Sequence, residues 1–236
     1  MTNLKKVALV IPAYNEEKMI ASVVKGLQQA FKGKPYDYRI IVVDDGSKDT
    51  TASKAKAAGA YVIRHILNSG QGAATTTGLS YALQQGYDVA ATLDGDGQHD
   101  PKDVLEGVNQ LLSNNIDLLI GSRLLKNEGM PRAKIIGNQG LSLVTYLLFG
   151  IKVTDSQSGL RVFSKKALAE LKWRTSGYEF CSEMLWRAKQ INLKIDEYPI
   201  KTIYTDYSLA KGQNNWNAFN IVKSLLRRRL MELFSE

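Results

Sequence analysis

Along the first half of the chain, apolar residues fall into two alternating patterns. Short unbroken runs rich in Val, Ile and Leu (KVALVIPAY, YRIIVVDD, AYVIRHI, DVAATL and DLLIGS) each end in polar residues. Apolar runs of this length read as strands buried on both faces. Between them lie segments whose apolar residues recur every three or four positions, as at Ile20, Val23, Val24, Leu27 and Phe31. That spacing gathers the side chains on one stripe of a helix. Asn15 stands as the N-cap of the first helix, with Glu16 and Glu17 in its first turn. Gly59 follows the second helix, and Pro101 opens the fourth.

Strand and helix alternate in this way through five strands, which predicts an α/β fold: a mostly parallel sheet with helices on both faces. Open sheets of this kind bind ligands beyond the carboxyl ends of their strands. Those ends carry Tyr14, Asn15 and Glu16; Asp44 and Asp45; Asn68 and Gly70; Asp94 and Asp96; and Ser122 and Arg123. These clusters are expected to lie along one edge.

After residue 124 the pattern is less regular. GNQGLSLVTYLLFGI predicts an apolar helix, and DSQSGLRVFSKKALAEL a polar loop entering a short strand and helix. EFCSEMLWRAKQIN predicts an amphipathic helix, and KIDEYPIKTIY a pair of strands. Near the end, Phe219, Val222, Leu226, Leu230 and Leu233 share one helical face, with Lys223, Arg227, Arg228 and Arg229 supplying charge. A basic amphipathic helix of this kind suits an anionic membrane surface, or packs on protein. No repeat or linker interrupts the chain. The reading is a single domain over 1–210, with a donor part to about 124 and an acceptor part over 125–210, followed by the helix of 211–236.

Composition narrows the chemistry. The chain has 236 residues, 44% of them hydrophobic, enough to bury a core. Cys181 is the only cysteine, so an internal disulfide is excluded, and a cytoplasmic location fits. His65 and His99 are the only histidines, which excludes a multi-histidine metal centre. The longest apolar stretch, 141–151, falls short of the roughly 20 residues that span a bilayer, and no crossing helix is expected. A net charge of +8 and a pI of about 9.4 favour anionic partners: nucleotide, phosphate, nucleic acid or an anionic membrane.

The stretch LDGDGQHDP carries the sharpest signal. Two carboxylates one residue apart, just after a buried strand, suit a hard cation such as Mg²⁺ or Mn²⁺, with diphosphate oxygens in its other positions. In isolation such a pair is more often a solvated turn; Gly95 and Gly97, which let a ligand approach the backbone, favour the functional reading. In VVDDGSKDTT, Asp45 reads either as turn chemistry or as an acceptor for a base N–H or ribose hydroxyl. LNSGQGAATTTG enters a helix whose N-terminus would attract phosphate, but it lacks the lysine of an ATPase loop.

VIPAYNEE, VVDDGSKDTT, NSGQGAATTTGLSYA, LDGDGQHDP, GSR and SGLRVF, in this order, resemble family-2 glycosyltransferases of the GT-A fold. The resemblance is to the polyprenyl-phosphate branch, with dolichol-phosphate mannosyltransferase and the undecaprenyl-phosphate sugar transferases, and covers residues 5 to 205. Gly95 stands where that branch carries Ala, and no loss is expected from it. The resemblance implies nucleotide-sugar contacts from Pro12, Tyr14, Glu16, Val43, Asp45 and Gly95. It implies metal binding by Asp94, Asp96 and Gln98, and phosphate binding by Arg123. Arg132 or Lys134 would meet the acceptor phosphate. Arg161 and Glu183 fall at active-site positions of the branch, though Arg161 also reads as a structural ion pair and Glu183 as a helix-surface acid.

The implied activity is inverting transfer of a hexose from a nucleotide diphosphate sugar to a polyprenyl phosphate, with Mg²⁺ or Mn²⁺ as cofactor. A UDP-sugar is favoured, with GDP-mannose kept open. An ionised phosphate nucleophile needs no strong general base, which agrees with the scarcity of histidine. The implied location is the cytoplasmic face of a membrane, with a small membrane subunit or a second copy left open as partner. One rival is a family-2 enzyme that extends a saccharide, with Glu183 or Asp155 as base. The other is a basic nucleic-acid-binding protein, disfavoured because the acids at the strand ends repel phosphate backbones.

Overall fold

A computed structural model of the protein describes residues 4–126, 130–203 and 222–226. The first half runs β1 (Lys5–Ala13), α1 (Ile20–Phe31), β2 (Tyr36–Asp44), α2 (Thr51–Ala57), β3 (Tyr61–Arg64) and α3 (Gln71–Gln84). It continues with β4 (Val89–Thr92), α4 (Pro101–Asn114) and β5 (Leu118–Ser122). Then come α5 (Arg132–Phe149), β6 (Arg161–Ser164), α6 (Lys165–Glu170), α7 (Phe180–Gln190) and β7 (Ile195–Pro199).

The strands form one sheet in the order β3-β2-β1-β4-β6-β5-β7. All pairings are parallel except those of β6, which runs antiparallel to both β4 and β5. The sheet is buried on both faces, as its continuous apolar strands require. Along β1, Ala8 and Val10 face a core completed by α3 and α7, including Ala74, Leu79, Met184 and Leu185. Val7, Leu9 and Ile11 face the opposite core with Val24 and Leu27 of α1 and Val104 and Val108 of α4. Pro101 opens α4 behind Asp100, whose carboxylate caps it by accepting from Lys102 N–H.

Three expectations need correction. Helix α1 begins at Ile20, and Asn15 is not its cap. Asn15 has φ of 53°. Its N–H donates to the Ser47 hydroxyl and that of Glu16 to the Thr51 hydroxyl, so residues 15–16 are tied to the loop after β2 and to the start of α2. KIDEYPIKTIY supplies one strand, β7; beyond it Thr202 makes only a single antiparallel bridge to His99. Near the end, Leu225 is buried and packs with Val222 on the first core, while Leu226 is exposed. The stripe that paired Val222 with Leu226 is therefore not a single face there. Phe219, Leu230, Leu233, Arg227, Arg228 and Arg229 lie outside the described residues.

Candidate functional site

A cleft of about 560 Å³ opens at the carboxyl ends of the parallel strands. Pro12, Tyr14 and Glu16 reach it from the end of β1, Asp45 from β2, and Asn68, Gly70 and Gln71 from the entry to α3. Asp94, Gly95, Asp96 and Gln98 follow β4, and Arg123 follows β5. The far wall is α5, through Lys134, Asn138 and Leu141.

The loops of the cleft are tied to one another. Asp45 is almost wholly buried, and its carboxylate accepts from Ser69 N–H and Gly70 N–H, at 2.9 and 2.8 Å. Gly72 N–H donates to the Ser176 carbonyl at 2.7 Å. At the start of α3, where N–H groups were expected to attract phosphate, those of Ser69, Gly70 and Gly72 are thus spent within the protein. Gly70 has φ of 96°, and a Cβ there would strike the Ser176 carbonyl, so the loop requires glycine.

The acid pair is asymmetric. Asp94 accepts from Gln71 Nε2 at 2.8 Å and lies 3.3 Å from His99 Nε2. Burial pushes its carboxyl up, but the His99 contact, the Arg123 charge and the Gln71 hydrogen bond outweigh it and hold Asp94 below the usual range. Asp96 accepts from Gln98 N–H at 3.0 Å. Burial and the neighbouring Asp94 charge push it up to about 6. Among the described residues no three His, Cys, Asp or Glu side chains gather as a metal cluster. A cation held here would have two carboxylates, with the Gln98 carboxamide beside them, and would leave positions for diphosphate oxygens. The crowded charge on Asp96 is what such a cation relieves, so the donor set fits Mg²⁺ or Mn²⁺.

Arg123 grips Asp155 through Nε and Nη2, at 2.6 and 2.8 Å. Burial pushes Asp155 up, but the Arg123 charge and hydrogen bonds hold it below the usual range. The pair presents an oriented guanidinium at the cleft wall.

Several residues singled out from the sequence lie elsewhere. Val43 does not line the cleft; it is fully buried in the core, its Cγ2 against Gly78 of α3. Arg132 is exposed at the start of α5 and is not a lining residue, whereas Lys134, two positions on, is. Arg161 is buried beneath the site. It donates to the Ser156, Ser158 and Cys181 carbonyls, so it shapes the loop before β6 and the start of α7 rather than meeting a ligand. Glu183 is also fully buried and is not a helix-surface acid. Its carboxylate accepts from the N–H groups of Arg174 and Thr175 and from the Thr175 hydroxyl, and so holds the loop that receives Gly72.

Three residues that serve the site, Gln71, His99 and Gly159, were not assigned from sequence, and a fourth, Asp155, was named there only as the base of a rival reaction. Gln71 and His99 orient Asp94, and both stand inside motifs already visible, SGQG and DGQHD. Asp155 and Gly159 come from a polar loop with no distinguishing pattern. A Cβ on Gly159 would overlap the Asp94 carboxylate, so the backbone there is pressed against the acid.

Comparison with known proteins agrees with this architecture. The family model described as "Glycosyl transferase family 2" matches residues 8–172. A UDP-N-acetylglucosamine–dolichyl-phosphate N-acetylglucosaminyltransferase of Methanococcus voltae is 45% identical, covering 96% of this chain and 97% of that protein. A polyprenol monophosphomannose synthase of Mycolicibacterium smegmatis is 26% identical, covering 96% and 89%. Glucosyl-3-phosphoglycerate synthase of Mycobacterium tuberculosis, crystallised with Mn²⁺ and uridine-diphosphate-glucose, shares the fold. Its TM-score is 0.73 over 95% of this chain and 79% of that one, at 20% identity. The matched family spans well over half of the chain and includes the β4 acid pair, so this protein is a glycosyltransferase and belongs to glycosyl transferase family 2.

Proposed function

We propose that the protein transfers a hexose from a nucleoside diphosphate sugar, in the first instance a UDP-sugar, to a polyprenyl phosphate. The observation that carries the acceptor class is the state of the carboxylates. Glu183 and Asp155, the acids suited to activate a sugar hydroxyl, are both fully buried and committed to protein donors. A phosphate acceptor is already ionised and needs no such base. It needs cations, and Arg123 and Lys134 line the same cleft as the acid pair. The names of the Methanococcus and Mycolicibacterium relatives support a polyprenyl carrier, and the former supports UDP-N-acetylglucosamine as donor.

Asp94, Asp96 and Gln98 would hold Mg²⁺ or Mn²⁺, which when bound neutralises the charge that grows on the departing diphosphate. Arg123, fixed by Asp155, adds an oriented cation on the cleft wall. Tyr14, Glu16 and Asp45 bind the nucleoside end, and Lys134 receives the acceptor phosphate.

The acceptor is a membrane lipid, and among the described residues no helix is long and apolar enough to cross a membrane. The outer stripe of α5 suits a bilayer surface: Ile136, Leu143 and Leu147 are 69%, 57% and 71% exposed, on the side away from the cleft-lining Lys134 and Leu141. A short polyprenyl phosphate should be glycosylated in the presence of Mn²⁺, and a saccharide primer should not. Lys134→Ala should raise the acceptor KM roughly tenfold, as for a lost charged contact, with little change in UDP affinity. Transfer to the primer but not to the lipid would overturn the assignment.

A further inference from the structure

The Asp45 carboxylate is held from behind by a side chain that does not touch the cleft. His65 follows β3, its own N–H donating to the Asp44 carbonyl at 2.9 Å. Its Nδ1 lies 2.7 Å from Asp45 Oδ1 and its Nε2 3.0 Å from the Thr77 hydroxyl. The carboxylate can only accept, so the Nδ1–H donates to Asp45, and the Thr77 hydroxyl, which also lies 3.1 Å from the Ala73 carbonyl, meets the other ring nitrogen. The ring is thereby wedged between the carboxylate and the second turn of α3, with its side chain 17% exposed.

We propose that His65, backed by Thr77, is a positioning residue that aims Asp45 at the nucleoside end of the donor. The proposal rests on the reading that Asp45 meets that end. A carboxylate offers about four lone-pair sites. On Asp45, Oδ1 is filled by His65 Nδ1 and Ser69 N–H, and Oδ2 takes Gly70 N–H. The remaining site, on Oδ2, is left for one N–H or O–H of a ligand in the cleft that Asp45 lines. The two loop N–H groups lie one residue apart on a single segment. His65 braces the carboxylate from β3 and α3 instead, and so restrains its rotation about the Cβ–Cγ bond. Without it the open site loses its aim, and binding must supply the ordering that the fold now supplies.

The test uses UDP and GDP with Mn²⁺, titrated calorimetrically into the full-length protein, together with donor and acceptor KM. His65→Ala should weaken binding of the tighter nucleotide roughly tenfold and raise the donor KM, with the acceptor KM unmoved. The Asn and Gln variants separate aiming from filling. The Asn amide sits near the place of Nδ1 and can still donate to Asp45; the Gln amide reaches toward Thr77. His65→Asn should recover most of the lost affinity, and His65→Gln should not. Thr77→Val should give a smaller loss in the same direction, with the melting temperature of every variant recorded as a control for folding. Equal affinities for the Asn and Gln variants would overturn the proposal. So would unchanged binding in His65→Ala while Asp45→Asn binds weakly, and that outcome would leave the role of Asp45 standing. Wild-type affinity in Asp45→Asn would overturn both.

Discussion

Replacing Asp96 by Asn tests the acid pair where its electrostatics are most lopsided. Burial and the Asp94 charge push Asp96 up to about 6, against an ordinary value of 3.8. At about 1.4 kcal/mol per pH unit, ionising it near neutral pH costs the metal-free fold about 3 kcal/mol. The sign follows from the folded value lying above the unfolded one. The group's stabilising contribution is complete below about pH 4 and is lost as pH rises through about 6. Asn keeps an oxygen for Gln98 N–H, now 3.0 Å from Asp96 Oδ1, and carries no charge. At about pH 7.5 and without divalent ions the variant should therefore be more stable, by roughly 1–3 kcal/mol, because the amide relaxes the site imperfectly. For a chain of this size that is a Tm rise of about 2–12 °C. The same change removes a cation ligand. Mn²⁺ should raise the Tm of the wild type and not that of the variant, and sugar transfer should fall steeply. Scanning calorimetry at about pH 5 and 7.5, with EDTA or Mn²⁺, reads both effects, and the stability gap should narrow at the lower pH. A variant no more stable than wild type in EDTA, or one that keeps the wild-type Mn²⁺ shift, would refute the reasoning.

Gly159→Ala should cut transfer and the Mn²⁺-dependent Tm shift at least tenfold, because the new Cβ overlaps the Asp94 carboxylate; the stability cost of overpacking should stay near 1–3 kcal/mol. Full activity in that variant would show that Asp94 does not need its present position. Arg123→Ala strands the fully buried Asp155 and should cost about 3–5 kcal/mol in urea denaturation near neutral pH. Since Arg123 holds Asp155 below its ordinary value, that stabilisation is present above about pH 4 and is lost as pH falls through the depressed value. The gap between wild type and variant should close in acid, and a gap independent of pH would assign the loss to packing.

Much of the architecture is local and therefore legible along the chain. The buried runs of β1 and β2 need both faces covered wherever they sit, and α1 and α4 carry apolar stripes that permit only one orientation toward the sheet. Asp94 and Asp96 were legible for the same reason: a glycine-loosened turn after a buried strand projects its side chains wherever that strand ends. The start of α1 was misread because residues far along the chain decided it: the hydroxyls of Ser47 and Thr51 captured the N–H groups of Asn15 and Glu16. Strand β6 is four residues long, and its antiparallel place between β4 and β5 depends on pairings such as Thr92 with Arg161, which no local pattern records. Arg161 and Glu183 match a motif in sequence, but burial and hydrogen bonds from the loops at 156–158 and 174–175 make them supports of the site. By itself, then, the sequence determined the layers, the ligand-binding edge and the acid pair, because each follows from periodicity and nearest neighbours. Only the tertiary structure decided which charged groups face the cleft and which hold it from behind, because that choice is made by donors and acceptors distant in the chain competing for the same few buried atoms.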